Sequence, residues 1–351
     1  MLKTELKKAL LEGAVIPAHP LALTEDRKLD LQGQRALTRY YIEAGVGGIA
    51  VGVHTTQFEI RDPQFNLFED VLRLAIEEIV RANVPENFIK IAGICGPVEQ
   101  ALEEAAFAKE IGYDLGLLSM GGLSDLSEEA LIERTKKVAA VIPVIGFYLQ
   151  PAVGGRVFSY DFWCELAETP NVHAIKIAPF NRYLTTDVVR AVVSSSRNGE
   201  IALYTGNDDN IIADLLTTYS FNVNGVRIEK RIVGGLLGHW SVWTKRVVET
   251  FRELNVVRES KQIPTSLLTL GQEITDANAA FFDAKNQFKG SIAGINEVLS
   301  RQGILKGNWC LLDREVLSPG QLEEIDRVYA AYPHLHDDDF VKENIAKWLE
   351  S

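Results

Sequence analysis

Lys176 lies in Asn171-Val172-His173-Ala174-Ile175-Lys176-Ile177-Ala178-Pro179, a short apolar run that stops at a proline. Alternation and β-branched residues predict a buried strand of about five residues. Burial disfavours the ammonium form of a lysine and lowers its pKa. A neutral amine is a nucleophile that condenses with a carbonyl group. From this run alone, a strand-end lysine reaching water or paired with a carboxylate is the simpler explanation, so the rest of the chain must decide.

The elements that would position this amine follow from the same patterning. Strands are expected at 13–18, 48–53, 88–93, 115–119, 144–148, within 171–179 around Lys176, and at 201–205, with a weaker eighth at Asn224-Gly225-Val226-Arg227-Ile228. Helical spacing separates them at 31–43, 67–81, 98–111, from Ser127 onward, and at 158–167, 186–195 and 208–219. Short strands apolar on both faces, alternating with single helices, predict an α/β fold: a closed (β/α)8 TIM barrel over residues 1–235. From 236 to 351 the strand signals stop. Helical spacing at 240–254, 267–288, 291–302, 319–332 and 339–349 predicts a C-terminal helical extension.

Barrel chemistry belongs at the carboxyl ends of the strands. The residues expected there are His19, His54-Thr55-Thr56, Ser119, Tyr148, Lys176, Gly206-Asn207-Asp208 and Arg227. Together they contain the parts for Schiff-base chemistry: Lys176 as amine, Tyr148 as proton shuttle, and the Thr55 and Thr56 hydroxyls with nearby N–H groups to hold a carboxylate. Taken singly, Tyr148 reads as an amphipathic core residue and the threonines as strand-end caps. Their joint placement favours the chemical reading.

Composition narrows the partners. Of 351 residues, 46% are hydrophobic and 24% charged, as in a globular protein with a sizeable core. A net charge of -12 argues against nucleic-acid or anionic-membrane partners. Cys95, Cys164 and Cys310 are too scattered for a disulfide framework or a zinc site and read as core cysteines of a reducing compartment. The opening residues interleave charge too closely for a signal peptide, and no apolar run nears the roughly 20 residues of a membrane span, so a cytoplasmic protein is expected. Ala44-Gly45-Val46-Gly47-Gly48 precedes a strand and so is no dinucleotide fingerprint. Gly234 to His239 could bind phosphate at a helix start, though close packing explains it more simply. His334-Leu335-His336-Asp337-Asp338-Asp339 looks like a metal tract, but acidic residues also favour a helix amino end. Neither a metal nor a cofactor is expected.

The chain resembles the dihydrodipicolinate synthase / N-acetylneuraminate lyase family of class I pyruvate-type aldolases. The resemblance rests on Ala18-His19-Pro20 with Asp30, Gly52 to Glu59, Phe147-Tyr148-Leu149-Gln150-Pro151, the lysine strand, Gly206-Asn207-Asp208-Asp209, and the ending Gly303 to Gly307. It implies a (β/α)8 barrel, an imine between Lys176 and a 2-keto acid, Tyr148 as proton relay, and a homo-oligomer, dimer or tetramer. Three departures stand out. The family's Gly-Thr-Thr-Gly-Glu loop is here Gly52-Val53-His54-Thr55-Thr56-Gln57-Phe58-Glu59. The tyrosine expected after the fourth strand is absent from Ser119-Met120-Gly121-Gly122-Leu123. The arginine beyond the Tyr-x-x-Pro proline is Val153, with Arg156 nearby. The expectation is therefore a lyase acting on pyruvate or a longer 2-keto acid by cleavage, addition or dehydration, and not a true dihydrodipicolinate synthase. Gly52, His54, Thr55, Thr56, Gly206 and His19 would bind substrate. The alternative is a non-catalytic or regulatory 2-keto-acid-binding barrel.

Overall fold

The computed structural model describes residues 2–260 and 262–350. In chain order it forms α1 (Thr4–Glu12), β1 (Val15–Pro17), α2 (Leu31–Ala44), β2 (Gly48–Val51), α3 (Phe68–Arg81), β3 (Ile89–Ile94), α4 (Val98–Ile111), β4 (Leu115–Leu118), α5 (Glu128–Val141), β5 (Val144–Tyr148), α6 (Tyr160–Glu168), β6 (Val172–Ile177), α7 (Arg182–Ser194), β7 (Ala202–Thr205) and α8 (Ile211–Leu216). Then come β8 (Thr218–Val223), β9 (Val226–Arg231), β10 (Gly234–Leu237), α9 (Thr244–Val257), α10 (Ser266–Phe281), α11 (Ser291–Arg301), α12 (Gln321–Ala331) and α13 (Asp338–Trp348).

Eight strands form one sheet in the order β1-β10-β7-β6-β5-β4-β3-β2. Its end strands meet, because Ala18, just past β1, bridges Ala50 of β2 in the parallel sense. The expected (β/α)8 barrel with C-terminal helices is therefore present. Strands β4, β5 and β7 are buried at every position, as a parallel sheet covered on both faces requires.

The eighth barrel strand is not the one expected from the sequence. Residues 224–228 belong to an antiparallel hairpin of β8 and β9, paired from Thr218–Arg231 to Val223–Val226. Asn224 and Gly225 both take positive φ, 52° and 83°, the two-residue turn that an Asn-Gly pair favours. Arg227 consequently lies on an exposed hairpin, where it pairs with Glu229 at 3.0 Å, and not at a barrel strand end. The barrel's eighth strand is Gly234–Leu237, the stretch whose glycines suggested a phosphate loop. Gly234 pairs with Tyr204, and a Cβ at Gly234 would fall 2.6 Å from backbone atoms of Ala14 and 2.8 Å from the Tyr204 ring. Only glycine fits so close an approach.

By internal contacts the chain forms two compact units, residues up to 14 with 86–236, and 15–85 with 237 onward. The first carries β3 to β7 with their helices. The second carries β1, β2, α2, α3 and the C-terminal helices. Its core includes Tyr40, Tyr41 and Trp348, and the Tyr40 hydroxyl donates to Asp337 at 2.7 Å. The Asp337 carboxylate also accepts from the Lys245 N–H, and His334 pairs with Glu273 at 2.8 Å, so the histidine–aspartate tract is committed to tying α13 and α10. Among the described residues no group of three or more His, Cys, Asp or Glu could hold a metal ion, and no helix is long and apolar enough to cross a membrane. Cys95 and Cys164 are half-buried and Cys310 is buried, all as free thiols.

Candidate active site

The lysine strand is bounded by backbone that cannot continue it. Asn171, before β6, takes φ 65°, and Phe180, after Pro179, takes φ 52°. Within β6, Lys176 is 8% exposed, and its Nζ sits 4.4 Å from the centroid of the Phe147 ring. Burial pushes its pKa from 10.5 down to about 8, against the opposing pull of the Asp208 carboxylate. At neutral pH about a tenth of such amines are uncharged, roughly 300-fold more than for an exposed lysine. Lys176 is therefore a buried amine of lowered basicity.

Tyr148 lies elsewhere. Counting evenly from the strand starts would set Tyr148 beside Lys176, because Val144 pairs with Val172. The register shifts immediately afterwards: Ile145 pairs with Ala174, passing over His173, so that Phe147 pairs with Lys176 and Tyr148 with Ile177. One extra residue in a strand turns every later side chain to the other face. The neighbours agree. A Cβ on Gly146, two residues before Tyr148, would meet Leu166 of α6 at 2.7 Å. The Tyr148 ring packs 4.7 Å from Trp163 and 5.9 Å from Phe158. Its fully buried phenolic oxygen has no hydrogen-bond partner, and desolvation raises its pKa. Phe147, not Tyr148, is thus the register partner of Lys176, and Phe147 has no proton to give.

The turn after β7 does reach the lysine. A Cβ at Gly206 would come within 2.7 Å of the Lys176 Cε and of the Ala178 Cβ, so glycine there lets the turn lie against the amine-bearing chain. The Gly206 N–H donates to the Ile177 carbonyl at 2.7 Å. Asp208, two residues on, is buried at 7% exposure. Beneath it Asp214, 1% exposed, accepts from the Thr205 hydroxyl at 2.6 Å, from Asn207 and Asn210 amides at 2.9 Å each, and from Arg182. The Asn207 side-chain carbonyl in turn accepts from the Phe180 N–H at 3.0 Å, joining the ends of β6 and β7. Asp208 was among the strand-end residues seen in the sequence, but nothing in the Gly-Asn-Asp turn marked it above its neighbours. Arg156, the nearby replacement for the missing arginine, donates to the carbonyl of Leu126 at 2.8 Å and stacks on Phe158 at 5.2 Å.

In the second unit, the 52–57 loop is built around committed hydroxyls. Thr55 donates to the Ala18 carbonyl at 2.7 Å and Thr56 to that of His19 at 2.6 Å. The Thr56 oxygen also accepts from the N–H groups of Gly52 and Val53 at 3.0 and 3.2 Å. Gly52 takes φ 75°. His54 opens a short 3₁₀ turn, His54–Thr56, and its ring lies 5.8 Å from that of Phe58. His19 is fully buried, contacts Thr38 at 2.9 Å and Pro20 at 2.8 Å through its ring nitrogens, and is held neutral by burial, its pKa pushed down to about 4. His239, following β10, is likewise buried and pushed down to about 4, and sequence reasoning assigned it no role beyond the glycine stretch.

A 4-hydroxy-tetrahydrodipicolinate synthase of Herminiimonas arsenicoxydans is 27% identical over 220 residues, 61% of this chain and 70% of the relative. One from Moorella thermoacetica is 26% identical over 217 residues, again 61% of this chain and 70% of the relative. The chain is thus similar in sequence to dihydrodipicolinate synthases. Such relatives are enzymes of the class I aldolase type. No family model matches the sequence. A crystal structure of dihydrodipicolinate synthase from Oceanobacillus iheyensis superposes with a TM-score of 0.73 at 16% identity, over 94% of this chain and 99% of that one, and so shares the fold.

Proposed function

We propose that this protein is a lyase in which Lys176 condenses with the keto group of pyruvate or a longer 2-keto acid. The observation that carries the reading is the burial of Lys176 within β6, with an amine held at about 8 beside the Gly206 turn. The protonated imine would serve as electron sink for aldol cleavage, aldol addition or dehydration of a keto-deoxy sugar acid. The 52–56 loop would hold the substrate carboxylate, with Thr55 and Thr56 shaping it through their carbonyl contacts. His54, His19 and Gly206 complete the proposed substrate-binding set.

A dihydrodipicolinate synthase activity is disfavoured, because Val153 stands where the family's arginine is expected and Arg156 is engaged with a loop carbonyl and a ring. A homo-oligomer in the cytoplasm completes the reading. The test is incubation with a panel of 2-keto acids and borohydride, followed by intact-mass measurement. A mass gain with one acid class names the substrate type, and turnover of the matching aldol or keto-deoxy acid follows. The absence of any adduct across the panel, with the folded protein, would instead favour a barrel that binds 2-keto acids without reacting.

A further inference from the structure

We infer that Gln57 is the positioning residue of the carboxylate-binding loop, and that the C-terminal segment 306–313 sets the affinity for the 2-keto acid by holding Gln57 in a strained backbone conformation. The inference rests on the reading above in which the 52–56 loop takes the substrate carboxylate. Gln57 joins two short 3₁₀ turns. Its N–H donates to the His54 carbonyl at 2.9 Å, closing His54–Thr56, and its own carbonyl accepts from the Ile60 N–H at 3.3 Å, within Phe58–Arg61. At this junction it takes φ 68° and ψ 120°. With ψ so large the residue lies outside the left-handed well that side chains visit, and it is strained.

Strain of this kind persists only where the surroundings hold it. Here the hold is the side chain. Gln57 is fully buried, and its Oε1 accepts from the Leu311 N–H at 2.6 Å. Leu311 belongs to a segment that is itself tied down. The Trp309 carbonyl accepts from the Asn296 amide of α11 at 3.1 Å, and the Asn308 amide donates to Glu297, also of α11, at 2.8 Å. From the other side Arg27 donates to the Cys310 carbonyl and pairs with Asp313 at 2.6 Å, and Lys306 pairs with Asp30 at 3.0 Å.

A buried hydrogen bond therefore links this clamped segment to the residue next to Thr56, whose oxygen orders the N–H groups of Gly52 and Val53. Releasing the Gln57 amide lets its backbone relax, and the two turns that meet there lose their fixed arrangement. Order missing from the free loop must be recovered on binding, so the loss appears as weaker affinity and not as slower chemistry.

The test is borohydride trapping by the full-length protein across concentrations of pyruvate, or of the 2-keto acid that reacts best. It reads the half-saturating concentration and the rate at saturation. Gln57→Met keeps the side-chain length and lacks the acceptor. Its half-saturating concentration should rise on the order of 10-fold, with the rate at saturation within about threefold of wild type. Gln57→Gly removes tether and strain together, so its melting temperature should stay near the wild-type value while half-saturation rises on the order of 10-fold. A merely structural role would not separate affinity from stability in this way. Arg27→Ala loosens the segment without touching the loop and should raise half-saturation about threefold, with Arg27→Ala/Gln57→Gly no weaker than Gln57→Gly alone. Acetone, which offers the carbonyl without the carboxylate, should trap at the wild-type rate in every variant. Unchanged half-saturation in folded Gln57→Met and Gln57→Gly, additive effects in the double variant, or a loss confined to the rate at saturation would each overturn the inference. Equal losses with acetone and the 2-keto acid would overturn the loop's role in carboxylate binding, and failure of the wild type to trap any 2-keto acid would overturn the underlying function instead.

Discussion

At the end of β6, Lys176 keeps an amine of lowered basicity between the Phe147 ring and the field of Asp208. At the end of β2, by contrast, Thr55 and Thr56 give their hydroxyl protons to the carbonyls of Ala18 and His19. The first region holds reactive groups in reserve at the cost of burying an ionisable side chain. The second has its threonine hydroxyls committed to backbone carbonyls. Chemistry and architecture are thus divided between strand ends of similar composition, and hydrogen-bond accounting separates them where residue type does not.

The sharpest way to break that contrast is Lys176→Ala, for which complete loss of trapping and turnover is expected. The same substitution should raise the melting temperature near pH 7. A lysine with a folded pKa of about 8, against 10.5 otherwise, leaves the unfolded chain binding more protons between those values. Wild-type stability contributed by this group therefore rises with pH across that window and is lowest below it. Alanine removes the dependence, which thermal melts from pH 6 to 10 would reveal.

A smaller effect concerns pH and rate. Trapping by the wild type should climb about tenfold per pH unit below 8 and level off above it, following the neutral amine. A profile flat from 6 to 8 would mean an amine already uncharged. Smaller again, Thr56→Val should destabilise by about 1–3 kcal/mol, because the buried N–H groups of Gly52 and Val53 and the His19 carbonyl lose their partner. Chemical denaturation measures that loss, and the trapping rate at saturating 2-keto acid should stay within about threefold of wild type if the hydroxyl is architectural. Smallest is the stability change of Tyr148→Phe. Its oxygen is buried without a partner, so removing it should leave stability unchanged or raise it by up to about 1 kcal/mol.

Much of this was legible in the sequence, and the misses have identifiable causes. The first seven barrel strands and the C-terminal helices follow from apolar periodicity alone, as does the buried lysine. The eighth strand was misplaced because Val226 and Ile228 look like a strand core. Asn224-Gly225 marks a hairpin turn, however, and the barrel strand itself, Gly234-Gly235-Leu236-Leu237, carries glycines where its neighbours press closest. The face of Tyr148 was beyond periodicity. It depends on one skipped residue, His173, in the pairing of β5 with β6, and a count of alternation cannot register a bulge.

The account stands or falls on which amine reacts. Lys230, on the hairpin, is also pushed down to about 8 by burial, which makes it the natural internal competitor. Peptide mapping of the borohydride-trapped wild-type protein decides between them. The structure predicts the modification on the peptide that contains Lys176 and none on Lys230, and an adduct found on Lys230, or spread over surface lysines with Lys176 untouched, would contradict it.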